Sequence, residues 1–99
     1  GYGVHAWKTK GRLTNCQITQ CESSGVCSYG KSTIEIAGEE TMIEKNNTSG
    51  DDDSYGLEAY HHNASFIHIL SPLTKESISK NNRNENYGGS GTIKTVRSF

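Results

Sequence analysis

Short segments in which apolar and polar residues alternate are the feature that most limits the fold of this chain. In "STIEIAG" (32–38) both Ile side chains point one way and those of Thr33 and Glu35 the other, which is the period of a half-buried β-strand. The segment "ASFIHIL" (64–70) is apolar on both faces, as expected of a central strand. "GTIKTVRSF" (91–99) is rich in Thr, Val and Ile and predicts a last strand.

The order of these segments predicts antiparallel pairing. "ETMIEK" (40–45) follows 32–38 closely enough to form a hairpin with it. A helix over 33–46 is the competing interpretation, but Gly38 in its middle would cost about 1 kcal/mol relative to Ala. The sequence therefore predicts a mostly β fold, a small antiparallel β-sandwich of about six short strands. An α+β, ribonuclease-like fold with one helix is the alternative, and no internal repeat is evident.

The supply of large apolar side chains limits the size of the core. Eight Ile, four Leu, three Val and two Phe make 17 of 99 residues, while the net charge is only −1. The chain is thus too poor in apolar residues for a large core and too weakly charged for a self-repelling disordered chain. We expect a single domain, residues 1–99, with polar loops at 45–56 and 75–91, the second of them flexible.

Charge and hydropathy also exclude classes of partner. Ten basic residues face eleven acidic ones, which gives no electrostatic reason to bind nucleic acid or anionic lipid. No apolar run is long enough to cross a membrane.

Three cysteines lie within "CQITQCESSGVC" (16–27), and the rest of the chain has none. Their spacing fits neither a zinc site nor a Cys-x-x-Cys redox centre. A disulfide that closes a loop of about ten residues would contribute roughly 2–3 kcal/mol. If the flanking segments are the arms of a hairpin, Cys16 pairs with Cys27, and Cys21 stays a free thiol that could join two copies into a dimer; otherwise the protein is a monomer.

A staple of this kind is typical of secreted proteins. Three Asn-x-Ser/Thr sequons, at Asn46, Asn47 and Asn63, are glycosylation sites if the chain is secreted. "YHHN" places His61 and His62 on opposite faces of an extended segment, where they cannot easily share a metal. The sequence therefore predicts neither a metal site nor a cofactor.

Several of these segments resemble the MAX effectors, small secreted proteins of plant-pathogenic fungi. They are "NCQIT" as a Cys-bearing early strand, "STIEIAG" with "ETMIEK" as a hairpin and "SFIHIL" as a core strand, within residues 12–71. The resemblance implies a six-stranded sandwich of two antiparallel sheets.

A second resemblance is to fungal guanyl-specific ribonucleases and the inactive effectors built on their scaffold. It is carried by "NCQITQCESSGVC", "SYGLEAYHHN", "LSPLTKE" and "YGGSGTIKTVRSF", in that order. The resemblance implies that His61 or His62 is the first catalytic histidine, Glu76 the base and Arg97 the phosphate-binding cation. No residue before Phe99 matches the second histidine, so the resemblance implies an inactive protein that lacks its general acid.

Three functions follow as expectations. The first is a secreted virulence effector, translocated into host cells, that binds a host protein such as an immune receptor and is not an enzyme; strand edges or loops would make the contact. The second is a ribonuclease-like protein without activity. The third is a secreted antimicrobial or killer-type toxin.

Overall fold

A computed structural model describes residues 2–60 and 64–97. These residues form eleven strands and one short helix: β1 Val4–Trp7, β2 Lys10–Thr14, β3 Gln17–Thr19, β4 Val26–Tyr29, β5 Ser32–Ala37, β6 Met42–Glu44, β7 Tyr55–Tyr60, β8 Ser65–Leu70, α1 Lys75–Ile78, β9 Ser79–Lys80, β10 Glu85–Gly88 and β11 Thr92–Val96.

The strands belong to three sheets, and every strand pair is parallel. Sheet A has the order β1-β4-β7-β10, sheet B the order β2-β5-β8-β11 and sheet C the order β3-β6-β9. Successive strands of the chain enter sheets A, B and C in turn, so that each strand pairs with its counterpart one coil later. The chain is therefore wound as a parallel β-helix of three complete coils and a fourth made of β10 and β11.

The predicted antiparallel β-sandwich is wrong. Strands are present where the sequence predicted them, as β5, β8 and β11, but β5 and β6 lie in different sheets and form no hairpin. Alternation indicates only which side chains face the core, and it does not indicate the direction of the neighbouring strand. A strand with one apolar face can therefore belong to a coil or to a sandwich. The α+β alternative also fails, because β5 and β6 occupy the segment 33–46 in which a helix was the competing interpretation. The only helix in the described part of the chain is the four-residue α1.

The segment 75–91, predicted as a flexible loop, contains α1, β9 and β10. Its Asn, Ser and Gly residues supply the corners of a coil. Composition that is typical of a loop is here typical of tight turns between short strands.

The core is a stack of inward-facing side chains in register from coil to coil. In sheet B, Ile34 pairs with Ile67 and Ile67 with Ile93, while Ile36 pairs with Ile69. All but Ile93 are at most 1% exposed. Each coil thus places its apolar residues directly on those of the coil before it, which lets few large side chains exclude water.

The corner after sheet C has the same backbone in three coils. Gln20, Lys45 and Asn81 adopt left-handed conformations with φ of 60°, 58° and 57°. The residues that follow them are Cys21, Asn46 and Asn82. The N–H of Cys21 donates to Oδ1 of Asn46 at 3.1 Å, and the N–H of Asn46 donates to Oδ1 of Asn82 at 3.0 Å. Side-chain amides thus join one coil to the next.

Candidate functional site

The outer face of sheet A collects most of the exposed aromatic residues. Register places Trp7, Tyr29 and Tyr60 side by side on β1, β4 and β7. The preceding residue of each strand, Ala6, Ser28 or Ala59, is buried, so the aromatic side chains point outward. We call the outward-facing residues Tyr2, His5, Trp7, Tyr29 and Tyr60 the aromatic face.

Four of the five rings of this face, those of Tyr2, His5, Tyr29 and Tyr60, contact one another in a row. Tyr29 and Tyr60 are stacked, with centroids 5.0 Å apart and planes 3° apart. His5 lies 6.2 Å from Tyr29 in an edge-on arrangement, and Tyr2 lies 4.9 Å from His5. The stacking follows from the register, because neighbouring strands are about 4.8 Å apart. Trp7, Tyr60 and Tyr2 remain 57%, 47% and 44% exposed, so much of this aromatic surface faces solvent.

A cleft of about 480 Å³ adjoins the row at Tyr60. It is lined by Asp53, Tyr55, Glu58, Tyr60, Gly89 and Ser90. The small residues come from the fourth coil, which carries no large side chain here. A Cβ on Gly88 would lie 2.6 Å from Cε1 of Tyr55, so glycine at this position allows the Tyr55 ring to lie across β10.

Glu58 is a buried, hydrogen-bonded polar group of the cleft. It is only 7% exposed, and the Ser24 hydroxyl donates to its Oε1 at 2.5 Å. The same hydroxyl accepts the Tyr55 N–H at 2.8 Å. Burial raises the pKa of Glu58, the Ser24 hydrogen bond opposes that shift, and the negative charge of Asp53 adds to it. The cleft therefore holds an oriented carboxyl group that takes up a proton more readily than an exposed glutamate.

Cys27, on β4, is the register partner of Glu58 on β7 and is 1% exposed. Burial, followed by the charge of Glu58, raises the pKa of the Cys27 thiol to about 12. Since the thiolate is the nucleophilic form, Cys27 is chemically inert in the folded chain.

The three cysteines are free thiols, and no pair is at bonding distance. The structure thus does not form the predicted Cys16–Cys27 disulfide. Cys16 lies at the corner between β2 and β3, whereas Cys27 lies within β4. Where the flanking segments do pair, as β2 with β5, the strands run parallel and form no hairpin. Cys21 is half-buried, and burial raises the pKa of its thiol.

Two of the predicted glycosylation sites lie inside the molecule. Asn46 is 1% exposed and Asn47 is fully buried. The Asn47 amide donates to the backbone oxygens of Asp51 and Ser54 at 2.8 and 3.1 Å. A glycan on either side chain would remove hydrogen bonds that the fold uses. The third sequon, Asn63, lies outside the described residues.

The residues predicted from the ribonuclease resemblance are not assembled into a site. His61 and His62 lie outside the described residues. Glu76 is exposed on α1 and accepts a hydrogen bond from the Tyr87 hydroxyl at 3.3 Å, while Arg97 is exposed after β11. In residues 2–60 and 64–97 no hydrogen bond or ion pair joins Glu76 to Arg97.

The described chain holds neither a candidate metal site nor a helix that could span a membrane. Within it, no three His, Cys, Asp or Glu residues are grouped so that they could hold a metal ion. None of its helices is long and apolar enough to cross a membrane.

Sequence reasoning missed the aromatic face, although a signal for it exists. A small residue precedes an aromatic one in Ala6-Trp7, Ser28-Tyr29 and Ala59-Tyr60. In each pair the small residue faces the core and the aromatic one faces outward. Of the three aromatic residues, Trp7 is the most exposed, at 57%.

A comparison of the chain with protein-family models, with curated proteins and with solved structures finds no match.

Proposed function

We propose that this protein is a glycan-binding module, and that the aromatic face with its adjoining cleft is the binding surface. The observation that carries the proposal is the in-register row of rings. The C–H groups of a sugar ring pack against aromatic surface, and the hydroxyls around the ring need polar partners. The aromatic face provides the first, and Glu58 and Asp53 provide the second.

Rigidity favours this surface for binding. Four of the five rings, all but that of Tyr2, project from paired strands rather than from loops, and stacking restrains Tyr29 and Tyr60. Side chains that are already ordered lose little conformational entropy when a ligand arrives. A glycan can therefore bind with useful affinity to a shallow surface, because little of the binding free energy is spent on ordering the rings.

Charge selects among ligands that stack on aromatic rings. Nucleic acid bases also stack, but their phosphates require cations. The cleft instead contains the carboxyl groups of Glu58 and Asp53. Neutral sugars fit this polarity, because their hydroxyls donate hydrogen bonds to carboxylates.

The expected virulence role, with a host protein as partner, stays a prediction. The fold limits where contact by strand addition could occur, since the outermost strands lie at the two ends of the coil stack. They are β1, β2 and β3 at one end and β9, β10 and β11 at the other. A secreted, non-enzymatic protein that binds host or microbial glycans is consistent with that role.

A second candidate function is glycoside hydrolysis. Glu58 has a raised pKa and shares its cleft with Asp53, and paired carboxyl groups with different environments are the groups that cleave glycosidic bonds. Release of reducing sugar from the same oligosaccharides tests this function.

The experiment is a screen against neutral oligosaccharides, followed by calorimetric titration of the best ligand. We expect Tyr60→Ala and Tyr29→Ala each to weaken binding about tenfold, which corresponds to roughly 1.4 kcal/mol of stacking. Phe66→Ala on β8 of sheet B is the matched control and should leave the affinity unchanged. Equal losses in all three variants, or no binding in the screen, would overturn the proposal. Release of reducing sugar that Glu58→Gln abolishes would replace binding with hydrolysis.

A further inference from the structure

A second groove lies on the outer face of sheet B, away from the aromatic face. Its volume is about 400 Å³, and it is lined by Lys10, Gly11, Arg12, Thr33, Glu35 and His68. We call it the basic groove. Three strands, β2, β5 and β8, provide these residues, so the floor of the groove is paired backbone.

The charges of the groove follow from the register of sheet B. Arg12 pairs with Glu35, Glu35 with His68, and His68 with Lys94. These four residues form one outward-facing row across all four strands, and Lys10 lies beside its first member. Three cations therefore accompany one carboxylate, on a chain whose net charge is −1.

His68 lies in the middle of this row. Its Nε2 atom is buried and has no hydrogen-bond partner among the residues that the structure describes. The imidazole ring is 5.6 Å from that of Phe66. A buried polar atom without a partner costs free energy. A turn of the imidazole ring that brought Nε2 to a ligand oxygen in the groove would therefore supply the missing hydrogen bond.

The surroundings of His68 favour its neutral form. Burial lowers its pKa, the charges of Lys94 and Lys10 lower it further, and the carboxylate of Glu35 opposes them. Arg12 on β2 and the aromatic ring of Phe66, on the same strand as His68, also face this row. An anion among these cations would offset their repulsion and raise the pKa of His68.

We infer that the basic groove binds an oxyanion, a sulfate, phosphate or carboxylate group of a ligand. The Arg12 guanidinium presents paired N–H donors that match two oxygens of such a group. Lys10 and Lys94 add ammonium groups, and the neutral His68 imidazole donates through Nε2 once its ring turns toward the groove and its proton is on that nitrogen. The groove is larger than the anion alone, so the rest of the ligand lies along Thr33 and Gly11.

This inference does not depend on the aromatic face, because the two surfaces belong to different sheets. The experiment follows the imidazole resonances of His68 by NMR while sodium sulfate, sodium phosphate or sodium acetate is added at constant ionic strength. We expect a saturable shift and a higher His68 pKa with at least one anion. Saturation by the tetrahedral anions alone, or by acetate alone, identifies which group the site prefers.

Variants then locate the site. Arg12→Gln should weaken anion binding about tenfold, as loss of a charged hydrogen bond typically does. Glu35→Gln should strengthen binding, because it removes a like charge. Lys80→Gln on β9 of sheet C makes the same change in net charge as Arg12→Gln and should have no effect. Shifts that never saturate, or equal weakening by Lys80→Gln and Arg12→Gln, would overturn the inference.

Discussion

The side-chain amide of Asn46 donates through Nδ2 to Oδ1 of Asn82, 3.0 Å away and one coil further along the stack. Asn46 also donates to the backbone oxygen of Ile18 at 3.0 Å. Asn82 repeats that bond by donating to the oxygen of Ile43 at 3.1 Å. One amide side chain thus joins its own coil to the coils on both sides.

The first prediction concerns this link. Asn46→Ala should lower the free energy of unfolding by about 2–4 kcal/mol, because it leaves the partly buried Cys21 N–H and Ile18 oxygen without these partners. Asn46→Asp keeps an acceptor for Cys21 but loses the donor to Ile18, and it should also destabilise. Urea denaturation followed by circular dichroism measures both.

Gln17→Ala, at an exposed position on β3, is the control and should change the stability by less than about 0.5 kcal/mol. A similar loss in Gln17→Ala and Asn46→Ala would show that any polar deletion near sheet C weakens the chain. The amide link would then have no special role.

The second prediction uses the left-handed corners. Lys45 has a φ of 58°, a conformation that costs a residue with an ordinary side chain about 1 kcal/mol or more and costs Asn less. The equivalent residue of the next coil is already Asn81. Lys45→Asn should therefore stabilise the protein by up to about 1 kcal/mol in thermal unfolding, whereas Lys80→Asn, within β9, should not.

How far the sequence predicts this fold is clearest in sheet B. "STIEI" and "SFIHI" were both identified as strands from their alternation, and they are register partners from Ser32 with Ser65 to Ile36 with Ile69. The shared Ser-x-Ile-x-Ile pattern is a repeat. It was missed because 22 residues separate the partners Val4 and Val26, but 31 separate Val26 and Leu57. Unequal corner loops hide the period that would have indicated stacked coils.

The candidate sites could be predicted less well than the strands. Adjacent residues of the row Arg12, Glu35, His68 and Lys94 are more than twenty residues apart in sequence, and only the register brings them together. His68 lies half-buried within β8, a segment that the sequence did predict as a strand. Its cationic neighbours could not be foreseen without knowing that all strands run parallel.

The third prediction distinguishes the observed thiols from the disulfide that the sequence predicted. Under native conditions an alkylating reagent should label Cys16 and Cys21, which are half-buried, and should spare Cys27. Burial and a pKa raised to about 12 both protect the Cys27 thiol. Intact-mass analysis should show two labels on the folded protein and three in denaturant.

A single label under both conditions would contradict this prediction, because it would mean that two cysteines are bonded to each other. The variant Cys27→Ser provides the control. It should show two labels in both conditions, since the residue that responds to unfolding is absent.

The last prediction concerns the pH dependence that Glu58 gives to stability. Its pKa is raised above the ordinary 4.5 by burial, so the folded state holds the proton more tightly than the unfolded state. As pH rises from about 4.5 through the folded pKa, the unfolded chain loses the proton first, and the stability contributed by Glu58 is lost. Glu58→Gln keeps an acceptor for the Ser24 hydroxyl but cannot ionise. The stability of the wild type relative to Glu58→Gln should therefore fall over this pH range and level off above it, as measured by urea denaturation. Glu39→Gln, which makes the same change in net charge at an exposed position, should not reproduce that curve; a parallel curve for Glu39→Gln would assign the effect to net charge and not to the buried carboxyl of the cleft.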